Sequence, residues 1–260
     1  MIEPLTDALL PTALAYLRRW PYRCALLASN LSQLRPRCDV LVAQRVGRIV
    51  GVASTYFDLP APNLVFTAET GEIAAALIAA LSTRNPGLLS QPTMALLPEP
   101  QFQQMQQLAA LIDHELEYQM VVEPETLRVP TNHSARRLTQ ADLPTMSALA
   151  QAASLSVWHE SALQFGPAFG CFVDQQLVSM AATHFATLEV IEIGHVATHP
   201  NQRGRGYAKA ATAALAQAAF ALAPRVYLMV LEQNTAARAA YRSLGFYSVE
   251  RFHLARFQRR

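Results

Sequence analysis

The feature that most narrows the folds open to this chain is an order of strands and helices that runs through its first half and returns in its second. In the first half, Asp39 to Phe57 reads as a β-hairpin turning near Gly47. It is followed by the strand LVFTA, a helix from about Gly71 to Leu81, the strand TMALL, a glutamine-rich helix and the strand LEYQMVV. In the second half, RRLTQADLPTMSALAQAA reads as a short strand and a helix, with Asp142 at the N-cap and Pro144 in the first turn. FGCFVDQQLVSMAATHF then bends as a hairpin around Asp174 to Gln176, and LEVIEIGHVAT is a further β-rich run. A helix from about Arg205 to Leu222, the strand Val226 to Leu231, a helix from about Thr235 to Leu244 and strands around Phe246 to Phe257 complete the order. The recurrence predicts a mixed α/β fold built as two similar halves. EPETLRVPTNHS, with two prolines and several polar residues, predicts a connector at about residues 124 to 134 and domains over 1–128 and 135–260.

Composition permits this reading and removes several others. A chain of 260 residues that is 52% hydrophobic can bury a substantial core, as one large domain or two ordinary ones. The net charge of +2 comes from 21 basic and 19 acidic residues with no long block of one sign, so no nucleic-acid or membrane partner is expected. The basic end RFQRR reads as a solvated tail. Cys24, Cys38 and Cys171 are odd in number and contain no C-x-x-C pair, against a disulfide framework or structural zinc and consistent with a reducing cytoplasm. MIEPLTDALL has acids and a proline where a secretory signal has a basic region and an apolar core. The weakly polar stretch Ala210 to Ala223 ends at Pro224, too short to span a bilayer, and reads as a buried alanine-rich helix.

The chemistry is concentrated between Glu189 and Phe246. IGHVATHPNQRGRGYAKAA places a strand, a loop rich in glycine and arginine, and a helix, an arrangement that aims backbone N–H groups at an anion such as a pyrophosphate. Gly204 and Gly206 allow close approach of the backbone, and Arg203 and Arg205 add charge. The alternative is an ordinary strand–helix turn. A P-loop is absent, and a dinucleotide fingerprint fails because six residues, Thr198 to Arg203, precede Gly204 and Lys209 stands where a third glycine belongs.

These residues resemble the GNAT superfamily of N-acetyltransferases. Its signature [Q/R]-x-x-G-x-[G/A] is met by Arg203, Gly206 and Ala208, and NTAARAAYRSLGF is similar to its second motif through Asn234, Tyr241, Gly245 and Phe246. The resemblance covers roughly residues 135 to 257, and the V-A-T-H-P run is similar to the glycine N-acyltransferase-like branch. It implies a GNAT-like fold and transfer of an acetyl or other acyl group from acetyl-CoA to a small-molecule or peptide amine, with no metal. A non-catalytic acyl-CoA-binding module or sensor is the alternative. The resemblance also implies that the loop N–H groups of Arg203, Gly204, Arg205, Gly206, Tyr207 and Ala208 hold the pyrophosphate. The backbone of Val196, Ala197 and Thr198 would pair with the pantetheine arm, the Val196 N–H would polarise the thioester carbonyl, and Asn234 would join the cofactor site or simply cap its helix.

Glu192, eleven residues before Arg203, is the candidate base, set against a plain surface carboxylate, with Glu189 and His195 as lesser candidates. Strand alternation places Glu192, Gly194, Val196 and Thr198 on one face unless a bulge, usual here in the family, shifts the parity. Tyr241 is the candidate thiolate protonator, set against a packing tyrosine. In the first half the equivalent loop is Glu69-Thr70-Gly71, with an acid and no arginine, which implies a degenerate GNAT-like half that shapes the acceptor pocket or supports the fold. The oligomeric state, monomer or dimer, is left open.

Overall fold

The computed structural model describes residues 1–155, 158 and 161–260. Along the first part of the chain come β1 (Ile2–Pro4), α1 (Leu10–Leu17), α2 (Ala25–Leu31), β2 (Cys38–Arg45), β3 (Arg48–Tyr56), β4 (Asn63–Ala68), α3 (Gly71–Arg84), β5 (Thr93–Pro98), α4 (Glu99–Leu108) and β6 (Ala110–Val122). There follow β7 (Arg136–Arg137), α5 (Leu143–Ala152), α6 (Ala162–Phe165), β8 (Ala168–Val173), β9 (Gln176–Ala186), β10 (Ile191–Thr198), α7 (Tyr207–Phe220), β11 (Val226–Leu231), α8 (Thr235–Ser243) and β12 (Tyr247–Gln258). The order β2-β3-β4-α3-β5-α4-β6 is repeated as β8-β9-β10-α7-β11-α8-β12. The chain divides into two compact units, Met1–Tyr118 with Glu250–Arg260, and Gln119–Val249.

In the first unit the strands run β1-β2-β3-β4-β5 and then β12, which pairs antiparallel with β5 from Phe252 opposite Pro98 to Phe257 opposite Thr93. The β2–β3 hairpin turns where the sequence puts it, because Val46 and Gly47 both take left-handed backbone (φ 50° and 72°), as a two-residue turn matched to strand twist requires. Helix α3 buries Ala74, Leu77, Ile78 and Leu81, one stripe at helical spacing, in a core with Leu41, Leu64, Phe66, Leu97, Met105 and Phe257. Helices α1 and α2 build a second core with Val40, Val42 and Val52 and precede the first strand expected from sequence.

In the second unit the order is β6-β11-β10-β9-β8-β7. Asp174 and Gln175 (φ 48° and 64°) turn the β8–β9 hairpin as expected. Helix α7 buries Ala210, Ala211, Ala213, Leu215, Ala216 and Ala219 as it packs on β8, β9 and β10, and its short side chains allow that close approach. Two local expectations are corrected. Asp142 stands at the N-cap of α5 as expected, but its carboxylate accepts from the Thr139 N–H at 2.8 Å and from Arg136 at 2.6 Å, so its side chain closes the preceding 3-10 turn and makes no cap bond to α5. The residues after Phe246 form one strand, β12, where several strands were expected.

Candidate active site

Strand β10 pairs parallel with β11 only at Ile191, Glu192 and Ile193, although both strands continue past this point. Beyond Ile193 the two diverge, so one edge of Gly194–Thr198 has no β11 partner. On its other edge, β10 is paired with β9 through two register shifts, between Glu192 and Ile193 and between Gly194 and Ala197. Within the second of these His195 takes φ 48°, a left-handed conformation uncommon outside glycine. The bulge breaks the alternation: Glu192 and Val196 no longer follow one parity, and Ala197 enters the core beside Met180 and Ala182.

Glu192 is a buried residue, which removes the surface-carboxylate reading. Tyr227, directly opposite on β11, donates its phenol to Oε2 at 2.5 Å, and His184 Nδ1 lies 3.0 Å from Oε1. The first register shift places His184 there, since Phe185 opposes Glu192 and Thr183 opposes Ile193, leaving His184 as the extra residue of β9. Gly194 makes the room: a Cβ on it would stand 2.8 Å from His184 Cβ. The His195 ring lies edge-on to His184 at 5.5 Å and to Trp158 at 5.4 Å. Glu189 instead pairs with Arg225 at 3.2 Å.

Between β10 and α7 run eight residues, His199 to Gly206. Gly204 and Gly206 have φ of 77° and 95°, and no atom stands within 4 Å of where a Gly204 Cβ would project, so the backbone there is open to a ligand. Gly206 ends the loop directly before α7, whose first-turn N–H groups at Tyr207, Ala208 and Lys209 have no acceptor within the helix. Arg203 and Arg205 are exposed beside them. His133 secures the loop from outside, with Nε2 2.7 Å from the Arg205 carbonyl and its ring 4.2 Å from that of Tyr207. Open backbone donors, a helix start and two guanidinium groups are an arrangement suited to an anion.

Helix α8 begins at Asn234, whose side-chain oxygen accepts from the Ala237 N–H at 3.1 Å and is thereby committed to capping. Tyr241 is buried with its ring 6.0 Å from Phe246, and burial pushes its phenol up to about 12. Gly245 (φ 98°) ends the helix, and a Cβ there would collide with the Thr126 carbonyl.

This segment matches the model of the acetyltransferase (GNAT) family over residues 133–246. The match takes in β10, the Gly204–Gly206 loop and α8, and it supports an acyltransferase. Solved structures share the fold over nearly the whole chain. A GCN5-related N-acetyltransferase from Kribbella flavida is 17% identical, covers 91% of this chain and 95% of its own, and has a TM-score of 0.66. A GNAT-family acetyltransferase from Colwellia psychrerythraea is 14% identical, covering 99% and 100%, with a TM-score of 0.65. A tandem GNAT protein from the clavulanic acid biosynthesis pathway is 15% identical, covering 99% and 97%, with a TM-score of 0.65. No curated protein matches the chain in sequence.

The structure thus brings Glu192, Val196–Thr198 and the Arg203–Ala208 loop together at and beyond the fork of β10 and β11. His184, Tyr227 and His133 were not anticipated from sequence: the first two arrive by cross-strand register and the third from the connector. In the first unit only Glu69 and Thr70 join β4 to α3; Thr70 caps the helix through the Ile73 N–H at 3.3 Å, and Glu69 pairs with Arg19 at 3.5 Å. Among the described residues no cluster of His, Cys, Asp and Glu has metal-site composition, and no helix is long and apolar enough to cross a membrane.

Proposed function

We propose that the chain is an N-acetyltransferase that moves the acetyl group of acetyl-CoA, or a related acyl group, to a primary amine of a small molecule or peptide by direct attack on the thioester. The observation that carries this reading is the fork of β10 and β11 leading into the open loop Gly204–Gly206 at the start of α7. Backbone groups of Val196, Ala197 and Thr198 would pair with the pantetheine arm as an added strand would, and the Val196 N–H would polarise the thioester carbonyl. Arg203, Gly204, Arg205, Gly206, Tyr207 and Ala208 hold the pyrophosphate, Glu192 lies on the path of the amine proton, and Tyr241 serves the departing sulfur. Asn234 contributes as the cap that sets α8.

Residues 135–260 are then the catalytic GNAT domain and residues 1–128 a degenerate GNAT-like partner of a tandem chain. The short Glu69–Thr70 connection, with its acid, supports a first half that binds no pyrophosphate. The V-A-T-H-P run supports the glycine N-acyltransferase-like branch, and the absence of paired cysteines supports a cytoplasmic setting.

Calorimetric titration with coenzyme A and acetyl-CoA, beside Arg203→Ala, tests the cofactor assignment. Binding in the ~1–100 µM range is expected for the wild type, weakened about tenfold in the variant, the loss of one charge-assisted contact of about 1.4 kcal/mol. No heat with either ligand would remove the cofactor assignment. Binding without turnover of any amine would leave an acyl-CoA-binding module.

A further inference from the structure

The loop before α7 keeps its backbone donors free. The N–H groups of Gly204, Arg205 and Gly206 donate to no protein acceptor among the described residues. Two of these three residues are glycines with φ of 77° and 95°, so no side chain of their own restrains them. Donors that are free to turn must be ordered when an anion arrives, and that ordering subtracts from affinity. A loop of this composition binds well only if something outside it holds its peptide planes.

The connector supplies that restraint. His133 Nε2 lies 2.7 Å from the Arg205 carbonyl oxygen. A carbonyl only accepts, so Nε2 carries the hydrogen and donates it, in the neutral ring and in the imidazolium alike. In a trans peptide the carbonyl and the following N–H point to opposite sides. Holding the Arg205 carbonyl against the connector therefore turns the Gly206 N–H to the face away from it. Gly206 permits the close approach, since a Cβ there would stand 3.4 Å from Asn132 Nδ2 and 3.6 Å from the His133 ring. The same ring leans on Tyr207, with centroids 4.2 Å apart. The connector has its own anchor at the end of α8, where the Arg128 N–H donates to the Leu244 carbonyl at 2.9 Å.

We propose that His133 is a positioning residue for the cofactor: its Nε2–H presets the peptide between Arg205 and Gly206, so that the loop meets the pyrophosphate of an acyl-CoA already ordered. This inference rests on the cofactor reading above. No step of the acyl transfer passes through His133. Its effect falls on the affinity for the nucleotide end of coenzyme A, and the chemistry at the thioester is left to other residues. The connector is then a working part of the cofactor site as well as a link between halves.

The test joins calorimetric titration with coenzyme A to ¹⁵N relaxation of the unliganded protein, in the wild type, His133→Ala, His133→Leu and His133→Gln. Order parameters at Gly204–Gly206 are expected near the ~0.85 of rigid backbone in the wild type and below ~0.6 in His133→Ala, with β9, β10 and α7 unchanged. Coenzyme A affinity falls about fivefold in His133→Ala, the size of one lost hydrogen bond. His133→Leu keeps the bulk, loses the donor and reads the same way should the space left by alanine disturb the fold. His133→Gln, whose amide nitrogen can donate to the same carbonyl, regains order and affinity to within about twofold of the wild type, although it lacks the ring that leans on Tyr207. Wild-type coenzyme A affinity in His133→Ala and His133→Leu, or a His133→Gln as impaired as either, overturns the assignment and leaves the cofactor reading standing. Wild-type order parameters already below ~0.6 at Gly204–Gly206 overturn it in the same way. No binding of coenzyme A by the wild type removes the cofactor reading, and the role of His133 with it.

Discussion

At the scale of the residue, Tyr241 shows how burial limits a chemical role. With its phenol pushed up to about 12, it keeps its proton throughout the neutral range. Against a free thiol near ~8.5, complete transfer to the sulfur is uphill by about 5 kcal/mol. In the proposed acyl transfer the phenol would therefore act on the departing sulfur chiefly as a hydrogen-bond donor whose charge stabilisation grows as the C–S bond stretches. Tyr241→Phe is expected to lower kcat by about 10–100-fold while KM for acetyl-CoA moves by less than about twofold. Because the shift is upward, the donor form persists and no descending limb from this group arises below pH ~10. Steady-state kinetics decide the matter, and a loss under about threefold would leave Tyr241 only its packing against Phe246. The place of this tyrosine on α8, between the cap Asn234 and the helix end at Gly245, was readable from the residues around it. The partners of Glu192 were not, because Tyr227 meets it across the β10–β11 pairing and His184 through a one-residue register shift in β9, neither of which a local pattern announces.

At the scale of the element, the hairpins and the strand–loop–helix at Gly204–Gly206 were legible because each depends on its own residues: left-handed positions at the turns and small side chains along α7. What depended on distant contacts was less so. The proline-bearing connector, expected as a spacer, is pinned along its length, with the Arg128 N–H donating to the Leu244 carbonyl at 2.9 Å and His133 holding the Arg205 carbonyl. It thereby ties the end of α8 to the loop before α7. A similar lock stands at the entry to α5, where Arg136 and the Thr139 N–H hold the Asp142 carboxylate down to about 2. A carboxylate lowered in this way stabilises the fold fully above its unfolded value of ~3.9, and the contribution fades as pH falls towards about 2. Denaturant midpoints taken between pH 5 and 2.5 are expected to fall less steeply in Asp142→Asn than in the wild type. Parallel slopes would show that the Arg136–Asp142 pair contributes no pH-dependent stability.

At the scale of the whole molecule, the repeat of seven elements leaves each half short of a strand that its sequence neighbours do not supply. The strand beside β5 is β12, from the far end of the chain, and the strand beside β11 is β6, from before the connector. A domain boundary drawn in the connector follows the sequence repeat but not the hydrogen bonding, because strand pairing has no local signature at either strand. The arrangement makes the first unit dependent on residues that follow the whole second unit in sequence. Phe252, Ala255 and Phe257 are 5%, 1% and 0% exposed, and Ala255 and Phe257 join the core around Leu97 and Met105. Burying two phenylalanine side chains contributes roughly 3–6 kcal/mol, a large share of the ~5–15 kcal/mol that stabilises a domain. Deleting Glu250–Arg260 is therefore expected to strip hydrogen-exchange protection from β4 and β5, while β9, β10 and α7 keep theirs and acetyl-CoA binding survives at reduced yield. Uniform loss of protection across both units would show instead that they unfold as one. Unchanged protection in β5 would mean that β12 is dispensable to the first core.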